Sequence, residues 1–276
     1  MTRMLAVANQ KGGVAKTTSV ASIGAAMAEL GKRVLLVDLD PQASLTFSLG
    51  IDPDLVELSV HEVVLGQAEI ADAILEASDG VDLLPSTIEL AGAEAQLLTR
   101  PGREFVLQSA LDEIREDYDV ILLDCSPSLG VLTLGALTAA TGLIIPMQAE
   151  MLSHRGVGQL LDTVRDVKKL LNKKLKTIGI LPTMYDGRSN HAREVLDDLG
   201  ADLRQALRGG EDPVELRLVT LRAPGRVVEV LPSPGCVGAD GLDVAVGPGA
   251  CTLQPKSAIF TSPRIPTSRF SGLMSR

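Results

Sequence analysis

The sequence has few aromatic side chains: its 276 residues include no Trp, two Tyr and four Phe. A buried core must therefore be built almost entirely from Val, Leu, Ile and Ala. Proteins that bind single-stranded nucleic acids without sequence preference stack the bases on aromatic rings. The composition therefore argues against a function of that kind.

Other features are scarce as well. The three cysteines, Cys125, Cys236 and Cys251, form no C-x-x-C pair, so neither a disulfide framework nor a zinc site is expected, and a reducing, cytoplasmic setting fits. No run approaches the ~18 apolar residues of a membrane span, and the first residues form no apolar signal core, so we expect no membrane interaction. The net charge of −9 disfavours binding to polyanions, so any contact with DNA requires a local basic patch.

The chain alternates short apolar runs with helical patterns. The apolar runs predict strands near residues 4–8, 34–38, 81–85, 120–124, 143–147, 177–182 and 227–231. The helical patterns lie near residues 17–30, 88–100, 103–114 and 157–175, and a capping box at Ser59 and Glu62 opens a further helix. This alternation predicts an α/β fold with a doubly wound, mostly parallel sheet.

The C-terminal part of the chain has a different composition. Of the 15 Pro, 8 lie after Gly209, and no Asp or Glu occurs from Val244 onwards. Pro and Gly interrupt every candidate helix or strand beyond the apolar run at 227–231. We therefore expect one domain over residues 1–232 and an irregular or disordered tail over residues 233–276.

A glycine-containing loop follows the first apolar run and precedes a helix. This layout of strand, loop and helix lets backbone N–H groups and a helix N-terminus hold a phosphate. The usual spacing G-x-x-x-x-G-K-[ST] is broken twice, because Gln10 and Ala15 stand where Gly is expected. The candidate nucleotide contacts in this phosphate loop are Lys11, Gly12, Gly13, Val14, Ala15, Lys16, Thr17 and Thr18.

Acidic residues follow two apolar strands and complete the candidate site. Lys16 would reach the β- and γ-phosphates, and the Thr17 hydroxyl would bind Mg²⁺. Asp40 and Asp124 are expected beside the phosphates, one holding Mg²⁺ and the other orienting or deprotonating a water. Asp38 is a weaker candidate for a supporting role. The alternative is that each Asp merely caps the helix that follows it.

The densest basic run is Arg165 with residues 168–176. It could contact DNA phosphates, or it could be a solvated face with Leu170, Leu171 and Leu175 on the core side; the interleaved Asp162 and Asp166 favour the solvated face.

Cys125 has no recognisable base that would activate it as a nucleophile, so a structural role is expected. The three histidines, His61, His154 and His191, are expected to pack, cap or lie on the surface.

These motifs resemble the ParA/Soj family of chromosome- and plasmid-partition ATPases, in the deviant Walker A group that also includes MinD. The resemblance runs from residue 4 to about residue 199, roughly 70% of the chain. It is carried by residues 8–18 and by four further motifs, Val37-Asp38-Leu39-Asp40-Pro41-Gln42, Ile121-Leu122-Leu123-Asp124-Cys125-Ser126-Pro127-Ser128, Ile145-Pro146-Met147-Gln148-Ala149-Glu150 and Pro182-Thr183-Met184-Tyr185-Asp186.

The resemblance implies a P-loop ATPase that binds ATP and Mg²⁺ and dimerises on ATP. Lys11 resembles the signature lysine that crosses to the partner's nucleotide, and it would act with Lys16 and Asp40 in hydrolysis, as an arginine finger does. Asp124 corresponds to the Walker B Asp, and Pro182 and Met184 are taken as nucleotide contacts. The implied partners are DNA, bound without sequence preference, and a ParB-type DNA-binding protein, which would associate the protein with the nucleoid.

Two departures from the family stand out. Ala15 replaces the Gly that usually precedes the P-loop lysine; it is strained by roughly 1 kcal/mol if the position needs positive φ, and harmless otherwise. The family's Pro-Arg-x-Val-Arg-like stretch and its final amphipathic helix are missing, with only faint echoes at 215–218 and 222–224. The change in composition suggests that residues after about 200 are translated from a shifted frame, which reading the other two frames of the encoding DNA would test.

Other functions remain open. A MinD-like ATPase that cycles on a membrane needs a C-terminal amphipathic helix, which Pro255, Pro263 and Pro266 disfavour. An iron–sulfur carrier needs closely spaced Cys ligands, whereas Cys236 and Cys251 lie far apart. A regulatory protein that binds ATP, with little hydrolysis or DNA binding, is the main alternative to a partition ATPase.

Overall fold

The computed structural model describes residues 2–78, 80–148, 154–184, 218–222 and 227–231. The expected tail over residues 233–276 lies outside the described residues, as do Cys236, Cys251 and His191. The same holds for parts of the motifs that carry the family resemblance, residues 149–150 and 185–186, and for most of the segment after residue 200.

Seven strands form one sheet: β1 (Arg3–Val7), β2 (Val34–Leu39), β3 (Leu75–Ser78), β4 (Val81–Leu84), β5 (Val120–Cys125), β6 (Gly142–Gln148) and β7 (Lys176–Thr183). Their order across the sheet is β3-β4-β2-β5-β1-β6-β7. Neighbouring strands are parallel except for β3 and β4, which are antiparallel, so the predicted mostly parallel sheet is confirmed. A separate antiparallel hairpin is formed by β8 (Leu218–Arg222) and β9 (Val227–Leu231).

The α-helices of the described residues are α1 (Lys16–Glu29), α2 (Ser44–Ser48), α3 (Val60–Leu65), α4 (Ile70–Ala73), α5 (Leu90–Leu97), α6 (Val106–Ile114), α7 (Val131–Ala139) and α8 (His154–Leu170). The capping box at Ser59 and Glu62 is confirmed at the start of α3. The helix expected over 88–100 is shorter, and the one over 103–114 begins as the 3-10 turn Arg103–Phe105. The short elements α2, α4 and β3 were not predicted, and neither were the helix α7 and the strand β8.

The helix expected over 157–175 ends at Leu170, and a short loop connects it to β7. The prediction that Leu170, Leu171 and Leu175 all face the core is wrong for Leu170, whose surface is 74% exposed. Leu175 is fully buried and Leu171 packs against the core. Because the helix ends at Leu170, the helical spacing that would have turned all three residues inward does not continue through the loop.

The sheet is covered on both faces. In β1, Met4 and Ala6 belong to the cluster shared with helices α3 to α8, whereas Leu5 and Val7 belong to the cluster shared with α1 and α2. This alternation follows from the two-residue repeat of a strand. Since both faces are buried, the central strands must be apolar throughout, which explains their continuous runs of Val, Leu and Ile.

The order of the strands determines where the site lies. β1 is central, with β5 on one side and β6 on the other. At the carboxyl edge of the sheet, Val7 and Asp38 are each register partners of Asp124. The phosphate loop and two of the acidic residues therefore meet at the edge where open α/β sheets bind their ligands.

Candidate functional site

The phosphate loop is fastened at its beginning by Asn9, which is 3% exposed. The Asn9 side chain donates a hydrogen bond to the carbonyl of Pro146 in β6, with an Nδ2–O distance of 2.6 Å. Its Oδ1 accepts a hydrogen bond from the Lys11 N–H at 3.0 Å. One amide side chain therefore ties the loop to the neighbouring strand and fixes the turn at Lys11.

The loop contains two residues in the left-handed region. Gly13 has φ 72°, and Ala15 has φ 60° and ψ 36° immediately before α1 begins. Ala15 therefore stands at a position that needs positive φ, where its Cβ costs roughly 1–2 kcal/mol relative to the right-handed conformation. Left-handed residues in such a turn direct successive N–H groups into one concavity, which is the arrangement that binds anions.

The carbonyl oxygens of this loop accept hydrogen bonds from groups of the protein itself. The Lys16 ammonium donates to the Lys11 carbonyl at 3.0 Å, and the Thr183 hydroxyl donates to the Val14 carbonyl at 3.0 Å. The backbone N–H and the hydroxyl of Ser19 both donate to the Ala15 carbonyl, at 3.0 and 2.7 Å. With these oxygens engaged, the loop presents less negative potential to a phosphate than a free turn would.

Lys16 is the cation at the centre of the site. It is 7% exposed, and burial lowers the pKa of its ammonium. The carboxylates of Asp124 and Asp40 act in the opposite direction, as does the thiol of Cys125 to a lesser degree. The structure therefore brings Lys16 together with both acidic residues that the sequence placed beside the phosphates.

Asp38 is buried completely, and its carboxylate is fully engaged in hydrogen bonds. It accepts from the Thr46 N–H at 2.9 Å, the Thr46 hydroxyl at 2.8 Å and the Asp40 N–H at 3.1 Å. Burial raises its pKa to about 6, and the donors from Thr46 limit this rise. Asp38 therefore acts as a structural anchor that fixes the start of α2 and the turn at Asp40.

Asp124 lies beside Asp38 but has no such donors. Its side chain is buried, and among the described residues no group makes a hydrogen bond with either carboxylate oxygen. Burial raises its pKa to about 7; the nearby hydroxyl of Thr17 and the ammonium of Lys16 lower it, and the charges of Asp38 and Asp40 raise it further. The Thr17 hydroxyl is thus close enough to act on the charge but outside hydrogen-bond geometry.

An unpaired buried carboxylate next to a hydroxyl fits a divalent cation, because Mg²⁺ prefers oxygen ligands and would supply the missing partner. No group of three or more His, Cys, Asp or Glu side chains suited to a metal occurs in the described part of the chain. Mg²⁺ typically uses only one or two carboxylates and takes further ligands from phosphate groups and water. The donor set at Asp124 and Thr17 therefore suits a cation that arrives with a nucleotide.

Asp40 lies just beyond the end of β2 and is partly exposed. Its carboxylate accepts a hydrogen bond from the Gln42 N–H at 3.0 Å, and its backbone carbonyl accepts from the Ser86 hydroxyl at 2.8 Å. The residue is thus held in a tight turn at the rim of the site. Ala43, which follows this turn and precedes α2, is a second alanine with positive φ, at 49°.

The remaining expected residues lie around this centre. Lys11 is half-buried in the loop, Gly12 and Gly13 are exposed, and Thr18 is exposed in the first turn of α1. Pro182 is buried in β7, whereas Met184 follows β7 with 57% exposure and φ 54°. Among the described residues, no strand pairing or hydrogen bond connects Met184 with the phosphate loop. At the end of β7, the residue that contacts the loop is Thr183, through its hydrogen bond to the Val14 carbonyl.

Cys125 and His61 have structural surroundings. Cys125 is 1% exposed, its Sγ lies 3.8 Å from the Leu123 carbonyl, and burial raises the pKa of its thiol. The His61 ring nitrogen Nδ1 is 2.9 Å from the Glu89 carbonyl, which connects the start of α3 with the start of α5. These contacts agree with the packing and capping roles expected from the sequence.

Sequence reasoning missed three residues that shape the site: Asn9, Thr46 and Thr183. Each is buried. The Asn9 amide and the Thr183 hydroxyl donate to backbone carbonyls that are more than 100 residues away, and the Thr46 hydroxyl donates to Asp38, eight residues earlier. Asn9 and Thr183 stand inside motifs that the sequence had singled out. Their partners could not be identified without knowing which strands are neighbours.

The chain matches the model of an AAA domain family, AAA_31, over residues 2–177. The sporulation initiation inhibitor protein Soj of Bacillus subtilis is 41% identical over 241 residues, which cover 87% of this chain and 95% of Soj. The chromosome partitioning protein ParA of Caulobacter vibrioides is 37% identical over 229 residues, covering 82% of this chain and 86% of that protein.

A solved structure from Mycobacterium smegmatis is also similar, with a TM-score of 0.71 and 60% sequence identity. The similarity covers 73% of this chain and 82% of that one. That protein bears the name cobyrinic acid a,c-diamide synthase, and it has been solved with ADP and magnesium and with an ATP analogue and magnesium.

Replacing Ala15 with Gly should stabilise the protein by about 0.5–1 kcal/mol, because relief of the left-handed strain exceeds the added entropy of an unfolded Gly. The free energy of unfolding in urea measures the effect. Ala25→Gly, at an exposed position inside α1, is the matched control and should cost about 1 kcal/mol. A loss of stability in Ala15→Gly similar to that of the control would contradict the strain assigned to Ala15.

Without nucleotide, the folded protein should lose stability as the pH rises from about 4 to about 7. Unfolded Asp124 releases its proton near 3.8, whereas the folded state retains it to about 7, so the folded state binds more protons in this window. Asp38, with a pKa of about 6, acts in the same direction.

Asp124→Asn should reduce this pH dependence and make the nucleotide-free protein more stable than the wild type at pH 8, since no buried unpaired charge remains. Urea unfolding at pH 5.5 and pH 8 measures both effects. Asp166→Asn, on the exposed surface of α8, is the control and should leave the slope as it is. If the slope of Asp124→Asn equals that of the wild type, Asp124 does not carry the effect.

Proposed function

Because the chain belongs to the ParA/Soj family of partition ATPases, we propose that it binds ATP with Mg²⁺, hydrolyses it and acts in the partitioning of a chromosome or plasmid. The observation that carries this proposal is the buried, unpaired carboxylate of Asp124 beside Lys16 and Thr17, at the edge of the sheet where the phosphate loop begins. The bound ADP, ATP analogue and magnesium in the Mycobacterium smegmatis relative support the same ligands for this chain.

The phosphate loop would hold the nucleotide through backbone N–H groups and two lysines. In this proposal the contacts come from residues 11–18, with Pro182 and Met184 bordering the nucleotide at the end of β7. Lys16 is already directed into the loop, where its ammonium bonds the Lys11 carbonyl. A phosphate oxygen would offer this ammonium a stronger, charge-assisted partner than a neutral carbonyl.

Thr17, Asp124 and Asp40 would hold Mg²⁺. When bound, the ion neutralises charge on the β- and γ-phosphates and lowers the barrier to phosphoryl transfer. Asp124 and Thr17 fit direct or water-mediated ligation because the Asp124 carboxylate is buried at the centre of the site and the half-buried Thr17 lies next to it. Asp40 lies at its rim, where a partly exposed carboxylate can orient or deprotonate a water molecule for attack.

Hydrolysis in this proposal requires a second copy of the chain. Lys11 would extend to the nucleotide of the partner subunit and bring positive charge to the transition state, as an arginine finger does. Its backbone N–H is held by the side chain of Asn9, and the residue as a whole is half-buried. ATP would thus bring two copies together, and a ParB-type partner would stimulate turnover and release the dimer.

DNA would be bound through the basic segment from the end of α8 to the start of β7, here called the lysine loop and defined as residues 168–176. Lys173, Lys174 and Lys176 are exposed. Asn172 fixes the loop, since its Nδ2 donates to the carbonyls of Leu137 and Ala140 at 3.1 and 2.7 Å. A fixed cluster of exposed lysines is the kind of local patch that an acidic chain needs in order to bind phosphates.

Two other functions would give different results. A regulatory protein would bind ATP without turnover, and DNA or a ParB-type partner would not stimulate it. An amide synthase, as the name of the Mycobacterium smegmatis relative suggests, would consume ATP only with cobyrinic acid and a nitrogen donor. An enzyme that releases ammonia from glutamine through a covalent intermediate needs an accessible nucleophile. Cys125, the one cysteine among the described residues, is buried and does not meet this need.

Purified protein should hydrolyse ATP in the presence of Mg²⁺, and DNA together with a ParB-type partner should raise the rate. Asp40→Asn should lower kcat about 100-fold or more while nucleotide binding persists, because a base or water-orienting group is lost. Lys16→Ala should weaken nucleotide binding itself. Phosphate release and the binding of a fluorescent ATP analogue, measured on the same samples, separate these effects.

Asp166→Asn is the control for the ATPase measurements and should retain wild-type kcat. Binding without turnover under every condition would support the regulatory alternative. Turnover that appears only with cobyrinic acid and glutamine or ammonia would support amide synthesis and overturn the partition function.

Replacing Lys173 and Lys174 together with Ala should weaken ATP-dependent binding to random-sequence duplex DNA. Each lost phosphate contact should also reduce the slope of log affinity against log salt by about 1. Fluorescence anisotropy at several salt concentrations measures both quantities. The control is Lys32→Ala, an exposed lysine before β2 and thus several strands away. Equal affinities and slopes for the double variant and the wild type would show that DNA binds elsewhere.

A further inference from the structure

Thr183, the last residue of β7, touches the phosphate loop although it lies outside the loop motif. Its side chain is 3% exposed, and its hydroxyl donates to the Val14 carbonyl at 3.0 Å across 169 positions of sequence. Thr183 is a register partner of Gln148 at the end of β6. The loop is thus held from two strands, by Asn9 bonded to β6 and by Thr183 of β7.

The direction of this hydrogen bond matters for anion binding. In a trans peptide the carbonyl oxygen and the following N–H point in opposite directions. Because the Val14 carbonyl points towards Thr183, the N–H of Ala15 points away from β7. Ala15 is also the left-handed residue of the loop, so the orientation of this peptide is determined on both sides, by the hydroxyl of Thr183 and by φ 60°.

Without the Thr183 hydroxyl, the Val14 carbonyl would be buried with no donor. Val14 itself is 1% exposed, so water cannot readily replace the lost partner. Rotation of the Val14–Ala15 peptide would then lower its free energy, because the carbonyl could find another donor. The same rotation would change the direction of the Ala15 N–H. The strain at Ala15 favours the same rotation, since it would relieve the left-handed conformation.

We propose that Thr183 is a positioning residue for the nucleotide phosphates: its hydroxyl holds the Val14–Ala15 peptide with the carbonyl turned towards β7 and the N–H turned away from it. Thr183 does not contact the nucleotide in this proposal. It rests on the proposed ATP binding at the same loop, and it assigns to the end of β7 a role different from the nucleotide contacts expected of Pro182 and Met184.

The test compares two substitutions, each of which changes a single group of the Thr183 side chain. Thr183→Val keeps the shape of the side chain and removes the hydroxyl, whereas Thr183→Ser keeps the hydroxyl and removes a methyl group. Thr141→Val is the matched control at the opposite edge of the sheet, where the Thr141 hydroxyl donates to the Met4 carbonyl at 2.9 Å. All three variants and the wild type are titrated with a fluorescent ATP analogue and Mg²⁺, and their thermal unfolding is measured without nucleotide.

Thr183→Val should bind the analogue about 10-fold more weakly than the wild type, while Thr183→Ser and Thr141→Val should bind within about 2-fold of it. Both valine variants should show a lower unfolding temperature, because Thr183→Val loses a buried hydrogen bond and Thr141→Val loses a partly buried one. A purely structural role of Thr183 would lower the unfolding temperature and leave affinity unchanged, and that result would overturn the proposal. Weakened binding in Thr183→Ser equal to that in Thr183→Val would also overturn it.

Three further outcomes are distinguishable. If Thr183→Val does not fold, Thr183→Ala removes the same hydroxyl at smaller volume and is judged by the same comparison with Thr183→Ser. If the wild type binds no nucleotide, the proposed ATP binding fails and the role of Thr183 fails with it. Equal binding by the wild type and Thr183→Val overturns only the role of Thr183.

Discussion

Two carboxyl groups lie side by side in the interior of this protein, and much of the site follows from how each is accommodated. Asp38 and Asp124 are register partners on adjacent strands. Asp38 is satisfied by three donors from Thr46 and Asp40, whereas Asp124 has none and depends on the nearby ammonium of Lys16. The first carboxylate therefore organises the protein, and the second is left to a ligand. A buried charge without hydrogen bonds is costly, which is why such groups concentrate at functional sites.

The phosphate loop shows a similar division between what the protein satisfies and what it leaves open. Its carbonyl oxygens at Lys11, Val14 and Ala15 are bonded by Lys16, Thr183 and Ser19. Its conformation is held at Ala15 against the preference of an alanine, so that surrounding contacts must maintain it. Asn9 and Thr183 supply two of these contacts from β6 and β7. The conformation of the loop therefore depends on hydrogen bonds that connect it with the sheet.

The sequence was sufficient for the fold class, for most strands and for the residues gathered at the carboxyl edge. Apolar runs such as 34–38 and 120–124 are short, continuous and clearly bounded, so their length and their Val and Ile content indicate buried strands. The short elements α2, α4 and β3 carry too few residues for any period, and Leu170 was misplaced because the end of α8 was not visible in the pattern. Asn9 and Thr183 were missed for another reason: a hydrogen bond across the sheet depends on strand order, which local sequence does not encode. Thr46 bonds Asp38 only eight residues away, but that contact depends on the turn between β2 and α2, a short helix that was not predicted. The strain at Ala15 was anticipated as one of two outcomes, and only the backbone angle decided between them.

The position of β1 also has a consequence for how the protein is made. This strand comes first in the chain, but its two neighbours are β5 and β6, with Arg3 opposite Val120 and Leu5 opposite Gly142. During synthesis, β1 cannot pair with β5 or β6 until nearly half of the chain has left the ribosome. Pairings between such distant segments form slowly, because the long intervening chain must be ordered first. The phosphate loop follows β1 directly, and its clamp at Thr183 is made later still. The first motif to leave the ribosome is therefore among the last parts of the molecule to acquire its structure.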